Sequence, residues 1–335
     1  MILFQHNDRK VMSLIKELKK YNIESGGVEV RHPILTPFYL LHQLIKGRKI
    51  KVYVFRYIGD SNHFVLAIIR FLSDLLIVLI SKVCNIQIWF LCHNVDKETT
   101  TFFPGIIKLR RNLIARYSSL ILTTNKLLIP KARSIFPNKL IDSISLGYIE
   151  NGALDLDEDK EIENQILEWI FQKKDQKSKF VFCIGAPAKK SLHFTLISDF
   201  IDKINLVSED NWYAIVVGKQ VEKNNFIYNI PFKCVLNKNF IKNYADYYYR
   251  VINDFSMSYS TYEAVHYKIP TITENYGILP QLINNYNIGL VVNSSNLDFK
   301  QIGNFKFEDA GFDAFELENN WSISADKINE YYQNI

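Results

Sequence analysis

Ile86–Cys92 reads IQIWFLC, a run in which Gln87 is the single polar residue. A strand with one face in water alternates apolar and polar positions. A run without alternation needs cover on both faces, as in a parallel sheet flanked by helices. Ser119–Thr123 (SLILT), Phe180–Ile184 (FVFCI) and Tyr213–Val217 (YAIVV) are built the same way. Lys51–Tyr57 (KVYVFRY) is a β-branched and aromatic strand, and Ile141–Leu146 is a short one. Segments with helical spacing lie between them: Phe64–Val83, Ile106–Tyr117 and Lys126–Phe136, with Val11–Tyr21 and Pro37–Ile45 before Lys51. Strand, helix, strand in this rhythm predicts parallel sheets with right-handed crossovers. Gly26-Gly27-Val28 reads as a surface turn between a helix and a strand.

A charged stretch, Asp155–Lys179, interrupts the alternation; it contains a helix over Ile162–Phe171 and reads as the connection between domains. The rhythm then restarts. Strands are predicted at Phe180–Ile184, Tyr213–Val217, Lys233–Leu236, Phe255–Met257, Thr271–Thr273 and Gly289–Asn293. Helices are predicted at Leu192–Ile204, Ile241–Arg250, Thr261–Tyr267, Leu279–Asn284 and Trp321–Gln333. The expected fold is α/β, with two doubly wound Rossmann-like domains facing each other across a cleft. Residues 1–152 form the first and 153–320 the second, and the helix 321–335 packs back on the first. A chain of 335 residues, 48% apolar, has the length and composition for two such cores.

The net charge of +5 is too weak and too dispersed to indicate nucleic acid, and is compatible with an anionic ligand or an anionic membrane surface. The four cysteines form no C-x-x-C pair and sit in apolar runs. They read as reduced, buried thiols, which predicts a cytoplasmic protein. Phe64–Val83 is long enough to cross a bilayer, but Arg70 and Asp74 would each cost about 3 kcal/mol at its centre. They lie four apart, where they can pair, so a buried or membrane-surface helix is the better reading. The basic helix Ile106–Tyr117, with Lys126, Lys131 and Arg133 after it, suits anionic lipid and plain solvent equally.

In doubly wound sheets, ligands bind beyond the carboxyl ends of the strands, so the loops after strands hold the candidates. Asp254–Val292 has the most detail. Ser258 and Ser260 lie in a small polar turn and Glu263 follows early in the next helix. A carboxylate there can accept hydrogen bonds from two ribose hydroxyls. The Gly277 loop, Ile278 and the helix start after it offer amides to a diphosphate, because helix N-termini favour anions. Ser260-Thr261-Tyr262-Glu263 also matches a capping box, and the two roles are compatible. Gly185 ends another strand, with Lys189 and Lys190 close behind. His93-Asn94 ends the Ile86–Cys92 strand, which makes His93 a candidate general base or acceptor-orienting group, with Asp96 or Glu98 sharing the role. The D-x-D triplet Asp155-Leu156-Asp157 lies in the charged connection and reads as a solvated helix start. No metal or other cofactor is expected.

The Asp254–Val292 stretch resembles the donor-binding half of GT-B fold glycosyltransferases of the broad family-4-like group. The residues that carry the resemblance are Ser258, Ser260, Glu263-Ala264, Ile269-Pro270, Gly277 and Asn287–Val292. The resemblance implies that Glu263 holds the ribose and that Lys190, with the Gly185 and Gly277 loops, faces the diphosphate. His93-Asn94 and its acidic turn resemble a segment of bacterial capsule and O-antigen glycosyltransferases, which puts His93, Asn94 and Glu98 on the acceptor side. The implied activity is transfer of a hexose-type sugar from a nucleotide-sugar donor to a glycan or lipid-linked glycan in surface polysaccharide synthesis. Four departures stand out. Phe255 occupies the place of an acid that contacts the sugar, Ala186 that of an Arg, Lys268 that of the Gly before Ile269-Pro270, and Gln281 that of an acid after the Gly loop. They keep two alternatives open, a catalytically inactive partner subunit and a sugar-nucleotide epimerase of the same fold.

Overall fold

The computed structural model describes residues 1–30, 32–59, 61–96, 102–149, 157–185, 192–222, 224–232, 234, 236–293 and 307–335. The chain forms two compact units. Unit 1 comprises Met1–Ile149, Phe255–Met257 and Glu318–Ile335; unit 2 comprises Glu150–Asp254 and Ser258–Leu317.

Unit 1 runs β1 (Ile2–Phe4), α1 (Arg9–Leu18), β2 (Ser25–Gly27), α2 (Thr36–Ile45), β3 (Val52–Phe55), α3 (Phe64–Val83), β4 (Gln87–Cys92), α4 (Pro104–Tyr117), β5 (Leu120–Thr123), α5 (Ile129–Ile135) and β6 (Ile141–Ser143). The strands pair in parallel in the order β2-β1-β3-β4-β5-β6. Their alternate side chains face a core of Ile2, Phe4, Val54, Trp89, Leu91 and Leu122 on one side. That core also takes Ala325 and Ile328 from the last helix. The Gly26-Gly27 segment is a strand and not a turn: it hydrogen-bonds alongside β1. Three residues, two of them glycine, are too few to show a β pattern.

Unit 2 runs α6 (Asp157–Lys173), β7 (Ser178–Ile184), α7 (Leu192–Val207), β8 (Asn211–Val217), β9 (Ile227–Ile230), α8 (Lys238–Tyr244), β10 (Tyr247–Tyr249), α9 (Tyr259–His266), β11 (Thr271–Glu274), α10 (Leu279–Tyr286), β12 (Gly289–Val292) and α11 (Asp309–Glu318). The final helix of the chain, α12 (Trp321–Gln333), belongs to unit 1. The unit 2 sheet is parallel, in the order β12-β11-β10-β7-β8-β9, with an apolar cluster on each face. Two predicted elements are corrected. The helix expected through Arg250 stops at Tyr244, and Tyr247–Tyr249 is the strand; Tyr244, Ala245 and Tyr248 happen to keep helical spacing across the break. Phe255–Met257 is no strand of this sheet. Its Ser256 forms an isolated antiparallel bridge with Asn94 in unit 1. Of the strand expected at Lys233–Leu236, Lys233 and Val235 lie outside the described residues; β9 lies farther upstream.

Each sheet has one place where the chain reverses its direction of winding. In unit 1 the chain passes from β1 to β2, then returns to β3 on the other side of β1. In unit 2 it runs β7, β8, β9 and returns to β10 beside β7. Loops leave opposite sides at such a switch point, opening a crevice at the carboxyl ends of the two strands.

In α3, the Asp74 carboxylate finds its hydrogen-bonded partner on α4, while the Arg70 charge also acts on it. Its Oδ2 takes a 2.7 Å hydrogen bond from Nε of Arg110 in α4, with both residues buried. All four cysteines are free thiols; Cys84 is exposed and the others are buried.

Candidate functional site

At the unit 1 switch point, β1 delivers Gln5 and His6, and β3 delivers Arg56 and Tyr57. Gln5 Oε1 accepts from the backbone amides of Arg56 and Tyr57 at 2.8 and 3.1 Å, which locks the two strand ends together. Arg56 is the hub. It is 2% exposed, donates through Nη1 to Asp8 at 2.5 Å, and donates through Nε to His93 Nε2 at 2.9 Å. Asp8 also caps α1 by accepting from the Val11 amide. The His93 ring stacks on Tyr57 at 4.7 Å and 12°.

Arg is an obligate donor, so His93 Nε2 must carry its lone pair toward Arg56 and the ring proton sits on Nδ1. Enclosure of the ring, and after it the Arg56 charge, hold the imidazole well below its ordinary range. His93 is therefore neutral and presents an N–H. That chemistry orients an acceptor oxygen, and it is poorly suited to take a proton while Arg56 holds Nε2. Burial raises the Asp8 carboxyl, but the Arg56 hydrogen bond and charge outweigh it and leave the group below its usual value. Beside this cluster, His6, Asn7, Asp8, Glu29 and Tyr57 line a pocket of aromatic and polar character. Asn94 follows His93, and its carbonyl accepts from Arg111 Nη2 at 2.9 Å. Glu98 lies outside the described residues.

The unit 2 switch point is built from glycines and one arginine. Gly185 follows β7, Gly218 follows β8 and Arg250 follows β10. Gly218 has φ +120°, and a Cβ on it would lie 1.9 Å from the Gly185 carbonyl oxygen, so no other residue fits there. Gly277 has φ +63°, and a Cβ would lie 2.3 Å from the Ile252 carbonyl oxygen. Arg250 reaches toward the end of β7. Its Nη1 donates to the Ile184 carbonyl at 3.2 Å and lies 3.1 Å from Nε2 of the buried His193. Its Nε is buried with no hydrogen-bond partner among the described residues.

Glu263 lies close enough to perturb both Arg250 and Tyr248: burial lowers the guanidinium, against which Asp254 and Glu263 act, and burial with Glu263 raises the phenol. Ser258 is the N-cap of α9, so Glu263 falls in the second turn and the capping-box alignment, which needs Ser260 as N-cap, does not form. The Ser258 and Ser260 hydroxyls bond each other at 2.7 Å. Ile278 is the buried N-cap of α10, with Pro280 in its first turn, so the Ile278, Leu279 and Gln281 amides lie at the helix start. Ala186, Lys189, Lys190, Asp155 and Leu156 lie outside the described residues. Among the described residues, no group of three His, Cys, Asp or Glu side chains converges as a metal site.

No family model matches the sequence, and no curated protein matches it. Solved structures do match along the whole chain. HepE of Anabaena, solved with UDP and glucose, shares 10% identity at a TM-score of 0.62, covering 100% of this chain and 99% of that one. Sucrose-phosphate synthase of Thermosynechococcus elongatus shares 10% identity at a TM-score of 0.66, covering 99% and 98%. UDP-GlcNAc 2-epimerase of Methanocaldococcus jannaschii shares 12% at 0.54, covering 99% of each. The chain has the GT-B fold. At such identities the likeness concerns architecture, two Rossmann-like domains each with its own switch point.

Arg250, Arg56, Asp8 and Tyr57 did not emerge from the sequence as site residues. The signal was present in YYYR and YVFR, two strand-like runs each ended by an arginine. Reading Tyr247–Tyr249 as helix hid the first.

His193 makes one prediction. Burial, and after it the Arg250 charge, push its imidazole down to about 2. Below about pH 6.5 the unfolded chain takes up a proton that the native chain refuses, so this stability is full above that pH and is lost as the pH falls. Each pH unit in the window costs up to about 1.4 kcal/mol. His193→Gln, which still accepts from Arg250 but does not titrate, is expected to flatten the fall of the urea midpoint between about pH 6.5 and 5. His93 and His6, both depressed, keep a residual slope of the same sign.

Proposed function

We propose that the chain is a glycosyltransferase that moves a hexose-type sugar from a nucleoside diphosphate donor to a glycan or lipid-linked glycan. The process served would be surface polysaccharide synthesis at the cytoplasmic side of the membrane. The observation that carries this reading is Arg250, a largely buried cation beside Gly185 at the unit 2 switch point. Sugar transfer releases a nucleoside diphosphate, and a cation already in position stabilises the charge that develops on it. Ala186 lacks the charge expected just after Gly185; in this reading Arg250 supplies one from the neighbouring strand end.

In this reading Glu263 accepts from the ribose hydroxyls. The Gly277 loop and the α10 amides receive the phosphates, and Lys190 and the Ser258–Ser260 pair complete the donor side. Neutral His93 orients the acceptor through Nδ1–H, and Asn94 and Glu98 are assigned to the same acceptor side. The transition state is oxocarbenium-like, as in glycoside chemistry generally. The UDP and glucose of the HepE structure support a nucleotide-sugar donor for this architecture.

The test is a thermal-shift screen against UDP, GDP, ADP and TDP. A ligand at 100 times its Kd stabilises by about 2.7 kcal/mol, and Glu263→Ala is expected to abolish most of that shift while leaving the unliganded chain folded. Stabilisation by none of the four would overturn the donor assignment. Turnover then separates the alternatives. Release of nucleoside diphosphate marks a transferase, epimerised donor an epimerase, and binding without either a non-catalytic partner.

A further inference from the structure

The outward face of α3 is apolar along its whole length. Val65, Ile68, Leu72, Leu76, Leu79 and Val83 recur at helical spacing and are 65, 36, 47, 44, 49 and 85% exposed. Three polar residues of the same helix turn inward: Ser73, Asp74 and Ser81 are buried. The usual surface helix has one apolar stripe, toward the core; α3 has that stripe in Ala67, Ile77 and Val78 and a second one facing outward. Neighbouring α2 also shows apolar residues outward, with Phe38, Leu41 and Ile45 exposed while Thr36, Pro37, Leu40 and Gln43 are buried. Such a contiguous apolar surface marks an interaction site.

Charge identifies what covers it. Residues 36–49, 64–83 and 104–117, which contain α2, α3 and α4, hold one acidic residue, Asp74, and it is buried against Arg110. The exposed charges are all basic: Lys46, Arg48 and Lys49 after α2, Lys82 at the end of α3, and Lys108 and Arg116 on α4. Crossover helices run opposite to the strands they connect. The carboxyl-terminal ends of these three therefore lie together at the amino-terminal end of the strands, and five of the six basic residues gather there.

We propose that the outer face of α2 and α3 seats in the interface of an anionic lipid bilayer. An apolar face sunk to the acyl boundary and a basic rim on the headgroups are the two parts of a monotopic membrane contact. By length and composition α3 could cross a bilayer. Its inner face is committed to the protein through Ala67, Ile77, Val78 and the Asp74–Arg110 pair, so it lies on the membrane. The inner side of α3 also helps line a pocket with Gln5, His6 and Tyr57 of the unit 1 switch point.

The test is co-sedimentation of the full chain with phosphatidylcholine vesicles, with and without phosphatidylglycerol. Binding to the anionic vesicles is expected, weaker by about tenfold on neutral ones. Leu72→Glu/Leu76→Glu is expected to weaken anionic binding by about tenfold or more, and Leu206→Glu, on an exposed position of unit 2, to leave it unchanged. Should the double variant misfold by circular dichroism, Lys49→Glu/Lys82→Glu provides the second reading, with weaker binding and a shallower dependence on salt. Absence of vesicle binding overturns the proposal, as does binding that neither double variant alters. A dimer in sedimentation velocity that Leu72→Glu/Leu76→Glu dissolves also overturns it, since a second copy then covers the face. The nucleotide thermal shift is independent of all these outcomes, so failure here leaves the donor-site reading standing and the converse holds.

Discussion

Arg250→Ala is expected to leave a folded chain that gains no stability from any nucleoside diphosphate and transfers sugar at least about 100-fold more slowly. Two costs combine in the liganded state. The variant loses charge-assisted hydrogen bonds to the phosphates, each worth about 1.5–3 kcal/mol, and it loses the charge that grows in importance as the sugar–phosphate bond breaks. In the unliganded chain the effects oppose each other. The Ile184 carbonyl and His193 Nε2 lose their donor, but a buried cation is removed from beside a buried imidazole. Arg250→Lys keeps a charge and forfeits the planar fork, so it should bind with intermediate affinity. The comparison that decides the role is with His193→Gln, which preserves the guanidinium and perturbs only its support. If Arg250 acts on the phosphates, its removal lowers kcat and raises KM for the donor while His193→Gln leaves kcat nearly intact. Equal nucleotide affinity in Arg250→Ala and the parent chain would remove Arg250 from the site.

The architecture was legible because parallel strands covered on both faces leave an unmistakable trace. IQIWFLC, SLILT, FVFCI and YAIVV all became central or near-central strands, β4, β5, β7 and β8. The edges were less legible. β2 is three residues with two glycines, and β9 reads IYNI, so neither carries enough apolar pattern to stand out from a loop. Misplacing β10 was the costlier error, because it hid Arg250 at a strand end. In the structure Phe255 pairs with the segment after His93: the Val95 amide donates to its carbonyl at 2.9 Å, and its own amide donates to Asp96 Oδ1 at 3.2 Å. The nearest acid, Asp254, is buried in unit 2 within the field of Arg250. No periodicity encodes contacts between residues 159 apart, and switch points depend on strand order, which a single sequence does not display. His93 was legible as a residue at a strand end, but its protonation was not, because that is set by Arg56 from another strand.

The largest loss of stability from a single side chain is expected at Arg110. Asp74 and Arg110 are each 3% exposed, and Arg110 also donates to the Gly59 carbonyl, which ties α3, α4 and the β3–α3 loop together. Burial raises the Asp74 carboxyl, and the Arg110 charge and hydrogen bond oppose that rise. Arg110→Met removes the opposition and strands a carboxylate in the interior, at a cost of about 3–5 kcal/mol. Asp74→Leu/Arg110→Met replaces both charges with apolar groups of similar bulk and is expected to recover most of the loss, since a buried pair contributes far less than breaking it costs. Recovery stays incomplete because the Gly59 carbonyl still lacks its donor and the Arg70 charge loses Asp74. The sign with pH separates this account from a simple packing defect. In Arg110→Met the native Asp74 binds its proton at a pH where the unfolded chain has released it. The deficit relative to the parent is therefore greatest near neutrality and shrinks as the pH falls toward the ordinary carboxylate range. A packing defect would give the same deficit at every pH, so urea unfolding of the three chains at neutral and mildly acidic pH distinguishes the two causes.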